Sequence, residues 1–188
     1  MDKIIGEFTL KSDKIRVTDP TYEKINDKNF CGKVFNCKKG IWVAQITKSI
    51  TPFSNGLIER ITLYNKDYNE QKNNDIFDDF KRMYEEDFRI FCTSGQVGFF
   101  DENNYPEQIT DDFTYKCLEA TKLSVERKSL ERADIIDGTG LVCWAGFGLK
   151  YGPMLYKCIS IRNETCEAIR IFVDFITDEI EDMFIKRK

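Results

Sequence analysis

The sequence predicts one mainly β domain, an antiparallel sandwich or strongly bent sheet with one or two packed helices, with α+β as the alternative. Three observations predict it. Short runs rich in β-branched and aromatic residues recur along the chain, separated by turn residues. The 188 residues are 41% hydrophobic and include 15 Phe and 8 Tyr, enough to fill a single core. Helical periodicity is confined to a few stretches.

Taken in order, the strands are expected at 3–10, 14–17, 32–36, 41–49, 57–65, 89–93, 96–100, 140–145, 154–161 and 168–176. In Ile41-Trp42-Val43-Ala44-Gln45-Ile46 odd and even positions are mostly apolar, which predicts cover on both faces. Lys38-Lys39-Gly40 reads as a hairpin turn joining 32–36 to 41–49. Ser94-Gly95 reads as a second, joining 89–93 to 96–100, with glycine supplying positive φ. A helix is expected over 75–88, where Ile76, Phe77, Phe80, Met83, Tyr84 and Phe88 form one apolar stripe behind a cap at Asn74 or Asp75. A second is expected over about 111–120, with Phe113, Cys117 and Ala120 on one side. Residues 122–137 are charged and poor in large apolar groups, and read as an exposed excursion, helical or irregular, within the single domain 1–188. Residues 178–188 suit a short amphipathic helix.

Composition excludes several chemistries. The chain has no His, which removes Ser-His and Cys-His dyads, His general bases and His-ligated metals. Seven cysteines, at 31, 37, 92, 117, 143, 158 and 166, are odd in number and contain no C-x-x-C, so buried reduced thiols are expected rather than zinc or disulfides. No apolar run is long enough to span a bilayer, and Met1-Asp2-Lys3-Ile4-Ile5-Gly6 lacks the apolar segment of a signal peptide, so a cytoplasmic protein without a membrane partner is expected. Formal charge is +4 over 1–50, −8 over 51–112 and zero over 113–188, for a net of −4. Lys and Arg do not cluster with aromatics along the sequence, so no nucleic-acid partner is expected.

Four motifs stand out. Asp19-Pro20-Thr21-Tyr22 is an Asx/Pro turn in which Asp19 caps backbone N–H groups, or alternatively presents Asp19 and Tyr22 at a pocket rim. Ser94-Gly95-Gln96-Val97-Gly98-Phe99-Phe100-Asp101 has two glycines within four residues, so its amides can approach a phosphate or carboxylate. It matches neither nucleotide-loop pattern. Gly138-x-Gly140, Gly146-Phe147-Gly148 and Gly152-Pro153 flank Trp144 and Tyr151, either as a ligand slot floored by Trp144 or as strand-end bends around a core Trp. Glu59-Arg60 places two charges on opposite faces of a strand, so one faces inward and needs a partner, with Asp19 and Asp101 as options.

Several of these segments together resemble the DUF4241 family of uncharacterised bacterial and phage proteins. The matching pieces are Val17-Thr18-Asp19-Pro20-Thr21-Tyr22, Cys31-Gly32, Gly40-Ile41-Trp42-Val43-Ala44, Glu59-Arg60-Ile61-Thr62-Leu63, and Thr93 through Asp101. Trp144-Ala145-Gly146-Phe147-Gly148 and Glu167 through Phe175 follow in the expected order. The chain departs from the family pattern at Thr93, where an Asp is usual, and over Gly148–Pro153, where an acidic residue is missing. The resemblance implies a β-rich fold and carries no activity.

The expectation is a non-enzymatic ligand- or protein-binding module of bacterial or phage origin, with no cofactor and no metal. Asp19, Tyr22, Ser94, Gln96, Asp101, Trp144 and Tyr151 are its candidate site residues, because loops on a rigid β scaffold carry binding groups. The alternatives are a carboxylate-based hydrolase, of the kind a divalent cation assists, using Asp19, Asp101 or Glu59, and an inhibitor of a basic partner acting through the acidic middle segment.

Overall fold

The computed structural model describes residues 2–24, 31–48, 58–67, 86–126, 133–135, 140–144, 154–163 and 165–175. The strands in chain order are β1 (Asp2–Leu10), β2 (Lys14–Thr18), β3 (Gly32–Asn36), β4 (Gly40–Lys48), β5 (Ile58–Asn65), β6 (Glu86–Cys92) and β7 (Gln96–Asp101). Helix α1 (Asp111–Glu126) follows, then β8 (Ala133–Ile135), β9 (Gly140–Trp144), β10 (Met154–Arg162) and β11 (Ala168–Asp174). They form a six-stranded sheet ordered β1-β4-β5-β11-β10-β6 and a five-stranded sheet ordered β3-β2-β7-β9-β8. Every ladder within the two sheets is antiparallel. The mainly β, antiparallel class expected from the sequence is the class observed.

The sheets pack face to face because each strand alternates. Trp42, Ala44 and Ile46 of β4, Ile61 and Leu63 of β5, and Ile171 and Val173 of β11 point inward from one sheet. Ile15 and Val17, Val97 and Phe99, and Leu141 and Cys143 meet them from the other, all within one buried cluster. At about 25 cal/mol per Å² of apolar surface removed from water, this cluster is the main source of stability.

The five-stranded sheet is covered on its second face as well. Phe100, Tyr105, Cys117, Ala120 and Val142 form a separate buried cluster, with Ile109 and Phe113 against it. The expected stripe Phe113, Cys117, Ala120 is thus the docking face of α1. Thr110 caps the helix through Phe113 N–H to its Oγ1 at 3.2 Å, and Asp111 and Asp112 sit in the first turn, favourable to the helix dipole. The helix runs to Glu126, beyond the expected end at 120.

Both expected hairpins are corrected. Lys38-Lys39-Gly40 carries the chain from β3 in one sheet to β4 in the other, and Ser94-Gly95 does the same from β6 to β7. The turn chemistry holds, since Gly40 has φ of 125° and Gly95 of 76°. A corner between sheets and a hairpin within one make the same demand on φ, so local sequence does not separate them. The expected helix over 75–88 ends in strand, because β6 begins at Glu86, and residues 75–85 lie outside the described residues. Within the expected excursion at 122–137, α1 extends to Glu126 and Ala133–Ile135 pairs with β9 as an edge strand. Residues 178–188 lie outside the described residues.

Two glycines are required by Phe100. A Cβ on Gly98 would lie 2.2 Å from the Phe100 ring, and one on Gly140 would lie 2.5 Å from the Phe99 carbonyl and 2.6 Å from that ring. The two bare backbones form the bed on which the ring of the second cluster rests. Gly98→Ala is expected to destabilise the protein by about 1–3 kcal/mol through overpacking. In a Phe100→Leu background the penalty should shrink, which a double-mutant cycle by chemical denaturation measures.

Candidate functional site

The site is organised by β2 and β7, which lie side by side with Ile15 opposite Asp101 and Thr18 opposite Gly98. Asp19 follows the end of β2 and Asp101 ends β7, so the two carboxyls sit at opposite ends of this strand pair. Both residues are fully buried.

Asp19 accepts five hydrogen bonds. Its Oδ1 takes Thr21 N–H at 2.9 Å, Thr21 Oγ1–H at 2.7 Å and Ser94 Oγ–H at 2.8 Å, and its Oδ2 takes the N–H groups of Thr93 and Ser94 at 2.8 Å each. The capping function read from Asp19-Pro20-Thr21-Tyr22 is therefore present, and it extends to a second loop 75 residues away in sequence. The amides at Thr93 and Ser94 meet a carboxylate, as the glycine spacing there suggests, and that carboxylate is the chain's own Asp19. Gly98 faces Phe100 rather than a ligand.

Asp101 does the same at the far end. Its Oδ2 accepts Lys11 N–H and Ser12 N–H at 2.9 Å each, and its Oδ1 accepts Asn103 N–H at 3.1 Å. Burial pushes this carboxyl upward, but the hydrogen bonds from Ser12, Asn103 and Lys11 outweigh burial and hold it below the usual carboxylate range.

Tyr22 lies at the rim. Its hydroxyl donates to Thr93 Oγ1 at 2.9 Å, and its ring is parallel to that of Phe91, at 9° with centroids 6.4 Å apart. Its carbonyl accepts the Tyr105 hydroxyl at 2.5 Å, which ties the loop after β7 to the same turn. Gln96 points the other way: its Nε2 donates to the Cys117 carbonyl at 3.0 Å, and so it fastens α1 to β7 from a buried position. Trp144 closes β9 opposite Gln96 in the ladder, while Tyr151 lies outside the described residues. The structure thus gathers Asp19, Tyr22 and Ser94 at one end of the β2–β7 pair. It places Asp101 at the other end and Gln96 under the helix.

Residues not singled out from the sequence complete the frame. Arg16, only 2% exposed, holds Glu102 in a bidentate pair at 2.7 and 3.1 Å and lies over the Tyr105 ring at 5.1 Å. Lys24 joins from the Tyr22 side, 2.8 Å from Glu107. The signal for Arg16 is its place between Ile15 and Val17 in an alternating strand, which puts it on the face that α1 and its preceding loop cover. Arg60 finds its partner in Asp174, directly across the sheet, and not in Asp19 or Asp101.

The buried thiols of Cys37, Cys92, Cys117 and Cys143 are poor nucleophiles here, while Cys166 is exposed. Burial pushes the thiols of Cys37, Cys117 and Cys143 up to about 12 and that of Cys92 well above its ordinary value, so they are protonated near neutrality. Among the described residues no three Cys, Asp or Glu side chains come together as a metal site. No helix among them is long and apolar enough to cross a membrane. Comparison with protein-family models, curated proteins and solved structures gives no match.

Asp19→Ala strands the Thr93 and Ser94 amides and is expected to cost about 2–4 kcal/mol in chemical denaturation, at or above the usual penalty for unsatisfied buried donors. The depressed Asp101 carboxyl contributes stability at neutral pH that is lost as pH falls below about 4 through its folded-state value. Asp101→Asn should therefore flatten the acid limb of a plot of stability against pH. An unchanged limb would show that Asp101 does not supply it.

Proposed function

We propose that this protein is a non-catalytic binding module whose recognition surface is the rim formed by residues 19–22 and 91–94. The observation that carries this reading is the clamp at Asp19. One carboxylate holds two loops from distant parts of the chain in fixed register and leaves Tyr22 and Thr93 at the surface. Pre-organised loops of this kind bind without the entropic cost of ordering on contact.

The same observation weakens the hydrolase alternative. A general base needs a lone pair directed at substrate, and Asp19 accepts five bonds from the protein while Asp101 accepts three from backbone amides. The bacterial or phage setting follows only from the family resemblance and is part of the proposal.

A thermal-shift screen against sugars, nucleotides, amino acids and divalent cations tests the reading. A ligand at 100 times its Kd adds about 2.7 kcal/mol, a rise of roughly 5–10 °C for a chain of this size. The expected result is a shift that Tyr22→Ala abolishes while the unliganded melting temperature stays within a few degrees. A shift that survives both Tyr22→Ala and Thr93→Ala would place the site elsewhere. Turnover of any panel compound by the folded protein would overturn the non-catalytic assignment.

A further inference from the structure

The rim continues from the Asp19 clamp onto the outer face of the six-stranded sheet. Ile90 and Cys92 point into the sandwich, so Phe91 of β6 faces outward, and Leu155 of β10 lies opposite it in the ladder. The Tyr22 ring stands beside Phe91, parallel to within 9° and with centroids 6.4 Å apart. Leu155 is 46% exposed, Thr93 is exposed, and Tyr22 and Phe91 are half-buried. The accessible surface is therefore two aromatic rings and a leucine, bordered by the hydroxyls of Tyr22 and Thr93.

We propose that this rim binds a neutral saccharide, with the C–H face of a pyranose ring against Tyr22, Phe91 and Leu155 and two adjacent sugar hydroxyls at Tyr22 and Thr93. This inference rests on the binding-module reading and names its ligand class. The face of an aromatic ring carries partial negative charge, and the C–H bonds of a sugar, polarised by neighbouring oxygens, meet it with partial positive charge. Tyr22 donates its hydroxyl hydrogen to Thr93 Oγ1 at 2.9 Å, so the Tyr22 oxygen can accept and the Thr93 hydrogen, turned away from Tyr22, can donate. One acceptor and one donor side by side match two adjacent sugar hydroxyls, each of which both donates and accepts. The bonds from Thr93 N–H and Ser94 N–H to Asp19 hold this pair in place before a ligand arrives, which lowers the cost of ordering on binding.

The charges around the rim favour a neutral ligand, because they are compensated within the protein. Asp19 accepts five hydrogen bonds. In the neighbouring row of the sheet Asp174 lies directly opposite Lys157 and is held by Arg60, and both Lys157 and Arg89 have partners of their own. An ionic ligand would compete with these contacts for its counter-charge, whereas a neutral one leaves them in place.

Isothermal titration of the full chain tests this with maltotriose, cellotriose and mannotriose. Trigalacturonate serves as an acidic counterpart, and 2′,3′-dideoxyadenosine as a planar base without a diol. The expected result is binding of at least one neutral trisaccharide, with an affinity that changes less than about twofold between roughly 50 and 500 mM salt. Phe91→Ala should weaken it by about tenfold. Tyr22→Phe, which keeps the ring, and Thr93→Val should each weaken it by roughly three- to tenfold through the lost hydroxyl. The double variant should lose little more than either alone, because the two hydroxyls act as a pair. Each variant should melt within a few degrees of the unaltered protein.

Tighter binding of trigalacturonate than of every neutral sugar, or a steep loss of affinity with salt, would overturn the neutral ligand and with it the proposal. Dideoxyadenosine binding beyond the sugars would refute the saccharide in favour of a planar ring while leaving the binding module intact. Saccharide binding that survives both Phe91→Ala and Tyr22→Phe would lie away from this rim and would also overturn the assignment. If no trisaccharide binds, the saccharide is refuted. The module reading then stands or falls separately on the Tyr22-dependent thermal shift with the other ligand classes.

Discussion

A carboxylate removed from water must be given hydrogen-bond donors, and the rest of this structure is arranged around two that are. The cost of burying such a group is several kcal/mol per ion even after relaxation. Asp19 recovers it with donors from its own turn and from residues 93–94, and Asp101 with donors from residues 11–12 and 103. Because the two acids cap opposite ends of the adjacent strands β2 and β7, satisfying them fixes where β1 enters β2 and where β6 enters β7. Both of these entries are corners between the two sheets. The clamps therefore help set how the sheets are joined, in addition to how one sheet is ordered.

The second layer follows from the same strand pair. Arg16 emerges from β2 on the face opposite the sandwich core, and Phe100 emerges from β7 beside it. A buried guanidinium needs an acid, which Glu102 supplies, and the Tyr105 ring lies beneath it. Tyr105 then passes its hydroxyl to the Tyr22 carbonyl, and its ring meets Phe100 and Phe113 at centroid distances of 5.0 and 5.6 Å. The helix, the loop before it and the Asp19 turn are thus one connected polar and aromatic assembly. Phe100 packs directly on Gly98 and Gly140, where an added Cβ would collide with its ring.

Much of this was legible in the sequence, and the part that was not has physical reasons. Short β-branched and aromatic runs bounded by turn residues located each of the ten expected strands, within three residues at either end. The short edge strand Ala133–Ile135 escaped because three residues cannot display a period. Asp19, Ser94 and Asp101 stood out because turn-forming acids and a Ser-Gly pair at strand ends have few other uses. That Asp19 would bridge to Ser94 was hidden, since hydrogen bonds between residues 75 apart leave no local pattern. The two supposed hairpins failed for the same reason: glycine φ reports the bend and is silent on the partner strand. Arg60 carried a correct demand for an acid, yet its choice of Asp174 is set by β5–β11 register, which only the assembled sheet defines.

The Asp19 clamp turns two loops into one rigid rim, and amide hydrogen exchange at Thr93 and Ser94 tests this most directly. Both amides lie outside the strand ladders, in a bend whose Thr93 is exposed, so without a clamp they would exchange as fast as any surface loop. The prediction is strong protection of both in the native protein and its loss in Asp19→Asn, with the β2–β7 and β10–β11 ladders still protected. Rapid exchange at Thr93 and Ser94 in the unaltered protein would contradict the claim.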